Sequence, residues 1–158
     1  MINSVFQHET SIVESDNIGE GTKIWAFVHI CKGVKIGKNC TIGEGVYIGP
    51  DVIIGDNCRI QNRALLYTGV EIGNDVFIGP GVVTTNDYFP TLPVGDWSER
   101  FKKTIIESNS SIGANSTIVC GCKIGQSSMV GAGSVVTKDV ISGYLYFGNP
   151  ARKIKNIK

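Results

Sequence analysis

The chain of 158 residues is short of three things: histidine, charge of one sign and long apolar runs. Two histidines, His8 and His29, leave few imidazoles for acid–base work or metal ligation. Fifteen basic against fourteen acidic side chains give a formal net charge of +1, so no field steers a nucleic acid or an anionic membrane surface toward it. The first ten residues, with Gln7, His8 and Glu9, hold neither a basic start nor an apolar stretch. No signal peptide or spanning helix is expected, and the cytoplasm is the expected location. The length suits a single domain, 1–158.

Cysteine numbers five, an odd count that argues against a disulfide framework. Cys120 and Cys122 are spaced C-x-C, while Cys31, Cys40 and Cys58 lie far apart. None of these is the paired spacing of a structural zinc site, so no metal is expected and the thiols are read as small core residues.

What the sequence has in abundance is a pulse of branched aliphatics at every sixth position. It starts at Ile12 and runs through Ile18, Ile24, Ile30 and onward to Ile60, Leu66, Ile72 and Ile78. A second frame carries Ile106, Ile112, Ile118, Ile124, Val130 and Val136. A helix gives a period of 3.6 and a flat strand a period of two, so a strict six means short strands separated by regular corners. Four positions after each aliphatic stands a small residue, as at Val34, Cys40, Val46, Cys58, Ala64, Val76, Ser116, Cys122 and Ser134. These are also predicted to point inward, which accounts for Cys40, Cys58 and Cys122.

Three hexapeptides close one triangular coil, and the two frames supply twelve and six hexapeptides, hence about six coils. The fold is therefore an all-β parallel β-helix in which each coil buries its aliphatics against its neighbours. An alternating-strand sandwich is the weaker alternative. Coils are assigned to 12–84 and 106–141, with 1–11 as an N-terminal cap and 142–158 as a C-terminal tail. Between them 85–105 leaves the prism as a protruding loop. If Ile106 resumes at the place due at position 90, the insertion equals the difference between those two positions. Its Tyr88, Phe89, Trp97 and Phe101 argue against a disordered linker and for packing on another surface, the nearest being a neighbouring subunit.

Finer motifs occur in order along the chain: Lys23-Ile24-Trp25, Phe27 and His29-Ile30; Gln61-Asn62; Thr85-Asn86-Asp87; Ile112-Gly113-Ala114-Asn115; Val130-Gly131-Ala132-Gly133; Gly148-Asn149-Pro150-Ala151-Arg152. Together they resemble the hexapeptide-repeat acyltransferases, and among these the nucleotide-linked 3-amino-sugar N-acetyltransferases of bacterial surface-glycan biosynthesis. The resemblance implies a left-handed coil, a homotrimer with parallel axes and active sites between subunits, acetyl-CoA as co-substrate and a nucleotide sugar as acceptor. Ala26 stands where similar enzymes often have histidine, Arg63 where they have a second asparagine, and Thr91 where they have arginine. A dTDP-linked and a UDP-linked sugar both stay open.

Acetyl transfer to an amine needs a nucleophile, a proton acceptor and a donor for the developing oxyanion. Stepping coil by coil puts His29 and Asn86 three coils apart, about 14 Å at the inter-strand spacing, so they cannot form one dyad. Asn86, at the mouth of the aromatic loop, is the first catalytic candidate, by resemblance orienting the amine or holding the acyl oxygen. A turn is the alternative reading of Asn86-Asp87. His29 is the second catalytic candidate, with a structural or nucleotide-binding role as its alternative. Trp25, Asn62, Arg63, Tyr67, Asp87 and Tyr88 are the substrate-binding candidates. By resemblance, pantetheine would run past Ala114 and Ala132, and Lys138 and Arg152 would meet the CoA phosphates; capping the solenoid is the other role open to the tail. Rival readings are an O-acetyltransferase of another small sugar and a non-catalytic scaffold. A zinc carbonic anhydrase on this fold would need more histidines than the chain has.

Overall fold

A computed structural model describes residues 4–92 and 98–157; Trp97 and Lys158 lie outside them. The hexapeptide writes a two-residue strand whose second residue turns inward and whose first turns out. Ile42, Ile48 and Ile54 are completely or almost completely buried, for example, while Thr41 and Tyr47 before them face outward and stay partly exposed. Strands so short have no stability alone. Each pairs in parallel with its counterpart one coil later, as Ile24 with Ile42, His29 with Tyr47 and Ile36 with Ile54.

Three such strands per turn close a three-sided prism. Sheet A stacks Phe6–Gln7, Lys23–Ile24, Thr41–Ile42, Arg59–Ile60, Phe77–Ile78, Ser111–Ile112, Met129–Val130 and Tyr144–Phe147. Sheet B stacks Ile12–Val13, His29–Ile30, Tyr47–Ile48, Leu65–Leu66, Val83–Thr84, Thr117–Ile118 and Val135–Val136. Sheet C stacks Lys35–Ile36, Ile53–Ile54, Val70–Ile72, Thr104–Ile106 and Lys123–Ile124. The aliphatics form one continuous core, and burial of each is worth roughly 1.5–3 kcal/mol. All five cysteines are buried, and the Cys40 and Cys58 thiols reach the Gly55 and Gly73 carbonyls at 3.1 and 3.0 Å.

Corners are made by residues in the left-handed region. Along the A–B corner these are Phe27, Gly45, Arg63, Gly81, Asn115 and Gly133. Glycine and asparagine suit that conformation, whereas Phe27 at φ 57° and Arg63 at φ 59° hold it at a cost of about 1–2 kcal/mol each.

The insertion has the expected length. Ile72 pairs with Ile106, where an uninterrupted coil would have brought position 90 alongside it, and Phe77 pairs with Ser111 in the same register. The third sheet resumes at Thr104, inside the segment assigned to the loop.

Two expectations change at the ends. The aliphatic series does not start at Ile12, which is 59% exposed; Val13 is the residue that pairs with Ile30 and packs on the core. Sheet A also has a rung at each end beyond the six coils counted from the repeat. Phe6 pairs with Lys23, one position short of a full coil, and Met129 with Leu145, two positions short. Those spacings break the hexad, so the sequence pattern hides both rungs. The second of them folds back as an antiparallel hairpin with Arg152–Asn156, covering the final coil.

Candidate active site

The chain leaves the prism at the B–C corner, and threonines seal the exit. Thr84 occupies an aliphatic's inward place; its Oγ1 accepts from the Tyr67 N–H at 3.0 Å. Thr85 Oγ1 accepts from the Cys120 N–H at 2.9 Å. Beyond them Asp87 pairs with Phe101 across the loop's base, its Oδ1 accepting from the Phe89 N–H at 2.8 Å. Its Oδ2 is buried with no hydrogen bond of good geometry, and the Arg100 guanidinium lies 3.2 Å away. The loop entrance is thus held by an acid turned inward.

Tyr67, Asn86 and Asp87, with Pro90 and Phe101, line a largely apolar cleft of about 360 Å³ at this entrance. Asn86 fixes the returning chain through its carbonyl, which accepts from the Lys102 N–H at 2.9 Å. Tyr88 and Phe89 pack edge to face at 4.9 Å and remain 51% and 69% exposed. These two loop aromatics do not fold onto their own prism.

A second group lies on the neighbouring A–B corner. Trp25 and Asn62 share a groove of about 390 Å³ with His8, Ala26 and Gln61. Asn62, Arg63 and Asn115 line the next one along the same corner. His8 belongs to the segment 1–11 assigned to the N-terminal cap. It stands beside Trp25 because Gln7 pairs with Ile24, again one position short of the regular coil and so not revealed by the period.

Corner backbone bonds give the heights directly. Gly45 N–H donates to Ala26, Arg63 to Glu44, Gly81 to Asn62, Asn115 to Pro80 and Gly133 to Ala114, each at 2.8–3.0 Å. One column therefore reads Ala26, Glu44, Asn62, Pro80, Ala114, Ala132. Asn86 follows the Val83–Thr84 strand, which is on the Pro80 coil. It stands one coil above Asn62 and one below Ala114. At the far end Lys138, Arg152, Ala151 and Tyr146 line a pocket of about 300 Å³, so the two expected phosphate partners do meet.

His29 sits elsewhere. Sheet B runs His29, Tyr47, Leu65, Val83, which leaves it three rungs, about 14 Å, from the coil of Asn86. It contacts Glu14 at 3.4 Å and the Tyr47 ring edge-on at 5.6 Å. Glu14, His29 and Cys31 form the one group of three metal-capable side chains among the described residues. Cysteine spacing alone did not point to it.

The bacterial transferase hexapeptide family, in its six-repeat form, matches residues 17–50, 51–86 and 103–138. The chain belongs to this family. Within it, this hexapeptide transferase is 51% identical over 147 residues to the dTDP-3-amino-3,6-dideoxy-alpha-D-galactopyranose 3-N-acetyltransferase of Aneurinibacillus thermoaerophilus, covering 93% of this chain and 76% of that one. Among solved structures it resembles AntD, an N-acyltransferase from Bacillus cereus. A mutant of AntD in complex with dTDP and coenzyme A aligns with TM-score 0.71 at 25% identity, covering 94% of this chain and 83% of that one. Another, in complex with dTDP-4-amino-4,6-dideoxyglucose and coenzyme A, aligns with TM-score 0.62 at 26% identity over 94% and 84%. The fold is the left-handed parallel β-helix of such acyltransferases. Among the described residues no helix is long and apolar enough to cross a membrane.

Proposed function

We propose that the hexapeptide transferase moves the acetyl group of acetyl-CoA to the amine of a dTDP-linked 3-amino-deoxysugar, in cytoplasmic synthesis of a bacterial surface glycan such as an O-antigen. The 51% identity across 93% of the chain carries the substrate class. A UDP-linked sugar is the second reading, kept because Ala26, Arg63 and Thr91 depart from the pattern of similar enzymes. Five free thiols suit a reducing compartment.

The working unit is a homotrimer with one site at each seam. Outward residues of sheet B (His29, Tyr47, Leu65, Val83, Thr117, Val135) include no lysine, arginine or carboxylate, whereas sheet A presents Lys23 and Arg59 and sheet C Lys35, Glu71 and Lys123. Sheet B is thus the face best suited to a threefold axis. Three prisms turned that way set the A–B corner of each against the B–C corner of the next, and an axis parallel to the prisms preserves height. Asn86 and Tyr88 of one chain then arrive between Asn62 and Ala114 of its neighbour. The exposed Tyr88, Phe89 and Leu92 gain a surface to cover them.

In that seam the nucleotide sugar occupies the lower grooves, with Trp25, Asn62 and Arg63 on one side and Tyr67, Asp87 and Tyr88 on the other. Coenzyme A enters from above, its pantetheine along Ala114 and Ala132 and its phosphates near Lys138 and Arg152. The neutral amine attacks the thioester carbonyl. Asn86, through its carboxamide, holds the acyl oxygen or the amine in line. As the C–S bond breaks, the departing thiolate takes the proton that the amine sheds, so neither a protein base nor a metal is required. His29, three rungs away, serves the nucleotide end or the fold.

Incubation with acetyl-CoA and a panel of dTDP- and UDP-linked amino sugars tests this by release of free thiol. Turnover with a dTDP-3-amino sugar supports it; no thiol release with any amino sugar excludes it.

A further inference from the structure

The N-terminal end of sheet B carries a side-chain cluster that acetyl transfer does not use. Val13 pairs with Ile30, which sets Glu14 beside Cys31 on adjoining rungs, and His29 is on the same outer side two residues before the cysteine. Glu14 is locked there by its N–H, which donates to the Ile30 carbonyl at 2.9 Å. His29 Nε2 lies 3.4 Å from Glu14 Oε2 and 3.9 Å from Cys31 Sγ, and all three donor atoms fall within 4.8 Å of one another. A tetrahedral ion bound at ~2.0–2.3 Å holds its ligand atoms about 3.3–3.6 Å apart, so a small inward movement of the thiol completes the geometry. In the single chain the His29 and Glu14 side chains are 41% and 39% exposed, and they lie at the end of sheet B, where the axial face of the proposed trimer opens to solvent.

We propose that Glu14, His29 and Cys31 bind one zinc-class divalent ion, with water in the fourth position. A thiolate, an imidazole and a carboxylate select a borderline-soft metal over magnesium or calcium. Binding forms the sulfur–metal bond as the Cys31 thiol proton leaves to solvent, with no change of oxidation state. Tyr47 supports the sulfur from the next rung, its Oη 3.6 Å from Sγ. The phenol O–H can turn to donate to the thiolate and so orient it.

The ion would staple a weak end of the solenoid. Ile12 is 59% exposed, and this first rung of sheet B has a neighbour on one side only. The metal readout needs no acyl acceptor, so metal binding and turnover can fail separately.

Cobalt titration of the chelator-treated full chain reads the site without any acyl substrate. One equivalent per chain, with a thiolate-to-cobalt charge-transfer band that zinc displaces, is expected. Cys31→Ser should lose the band, His29→Ala should bind at least tenfold more weakly, and Cys122→Ser should behave as the parent. Tyr47→Phe should keep the band with about tenfold weaker binding. A folded parent chain without a thiolate band, or the same band in Cys31→Ser, overturns the proposal. Should Cys31→Ser misfold, alkylation decides on the parent chain: zinc is expected to slow labelling of Cys31 at least tenfold, and an unchanged rate overturns it.

Discussion

Asp87 and Arg100 form a nearly closed ion pair at the root of the protruding loop. The Nη2–Oδ2 separation is 3.2 Å, with only 7% of the aspartate and 25% of the arginine side chain exposed. Asp87 Oδ1 meanwhile fixes the turn at Phe89. Removing Arg100 leaves an inward carboxylate with no countercharge. Arg100→Ala should therefore loosen the loop and lower kcat/KM by about tenfold or more, since small misplacements of reacting groups are costly. The coils do not depend on this pair, so thermal unfolding should shift little. Steady-state kinetics beside a melting curve checks both halves.

Asn86 and His29 can be ranked by a pair of variants. His29→Ala should keep kcat/KM within about tenfold of the parent, while Asn86→Ala, which in the proposed mechanism removes the group holding the acyl oxygen or the amine, should cost about a hundredfold. Kinetics in the opposite order would move the chemistry to the other end of sheet B.

Arg152 offers an electrostatic test. Arg152→Ala should weaken CoA binding and flatten its dependence on salt, because a charge-assisted phosphate contact is lost. Titration calorimetry at two ionic strengths measures it. Unchanged affinity and unchanged salt response would remove Arg152 from the coenzyme site.

Ile60 is completely buried in the column running from Ile42 to Ile78. Ile60→Ala should destabilise the chain by about 2–5 kcal/mol, read from urea unfolding. Gly113→Ala should also destabilise, because a Cβ there would stand 2.4 Å from the Ala132 backbone nitrogen.

The residues that the sequence made legible are those governed by a period. From Ile18 to Ile78, and again from Ile106 to Val136, each aliphatic is inward as its spacing requires, and the pairing of Ile72 with Ile106 gives the insertion the same length as the shift in frame does. Where spacing changes by one or two positions, legibility ends. Phe6 pairs with Lys23 and Val13 with Ile30, each one position short of a coil, and Met129 pairs with Leu145, two short, so the first and last rungs left no hexad. Column arithmetic separated His29 from Asn86 correctly because His29 and the Val83–Thr84 strand that Asn86 follows both belong to regular coils. It could not pair Glu14 with Cys31, since that contact depends on the irregular first turn. Nor could a period foresee the contact between Asp87 and Arg100, which is made inside the insertion itself.

The shared seam can be tested by mixing two inactive chains. Asn86→Ala damages only the loop corner and Trp25→Ala only the facing corner, so a mixed trimer contains seams where both contributing corners are intact. Co-refolded in equal amounts, the pair should recover about a quarter of the parent activity, as random assembly in a closed ring requires. Activity no greater than that of the two variants measured separately would contradict a site built between subunits.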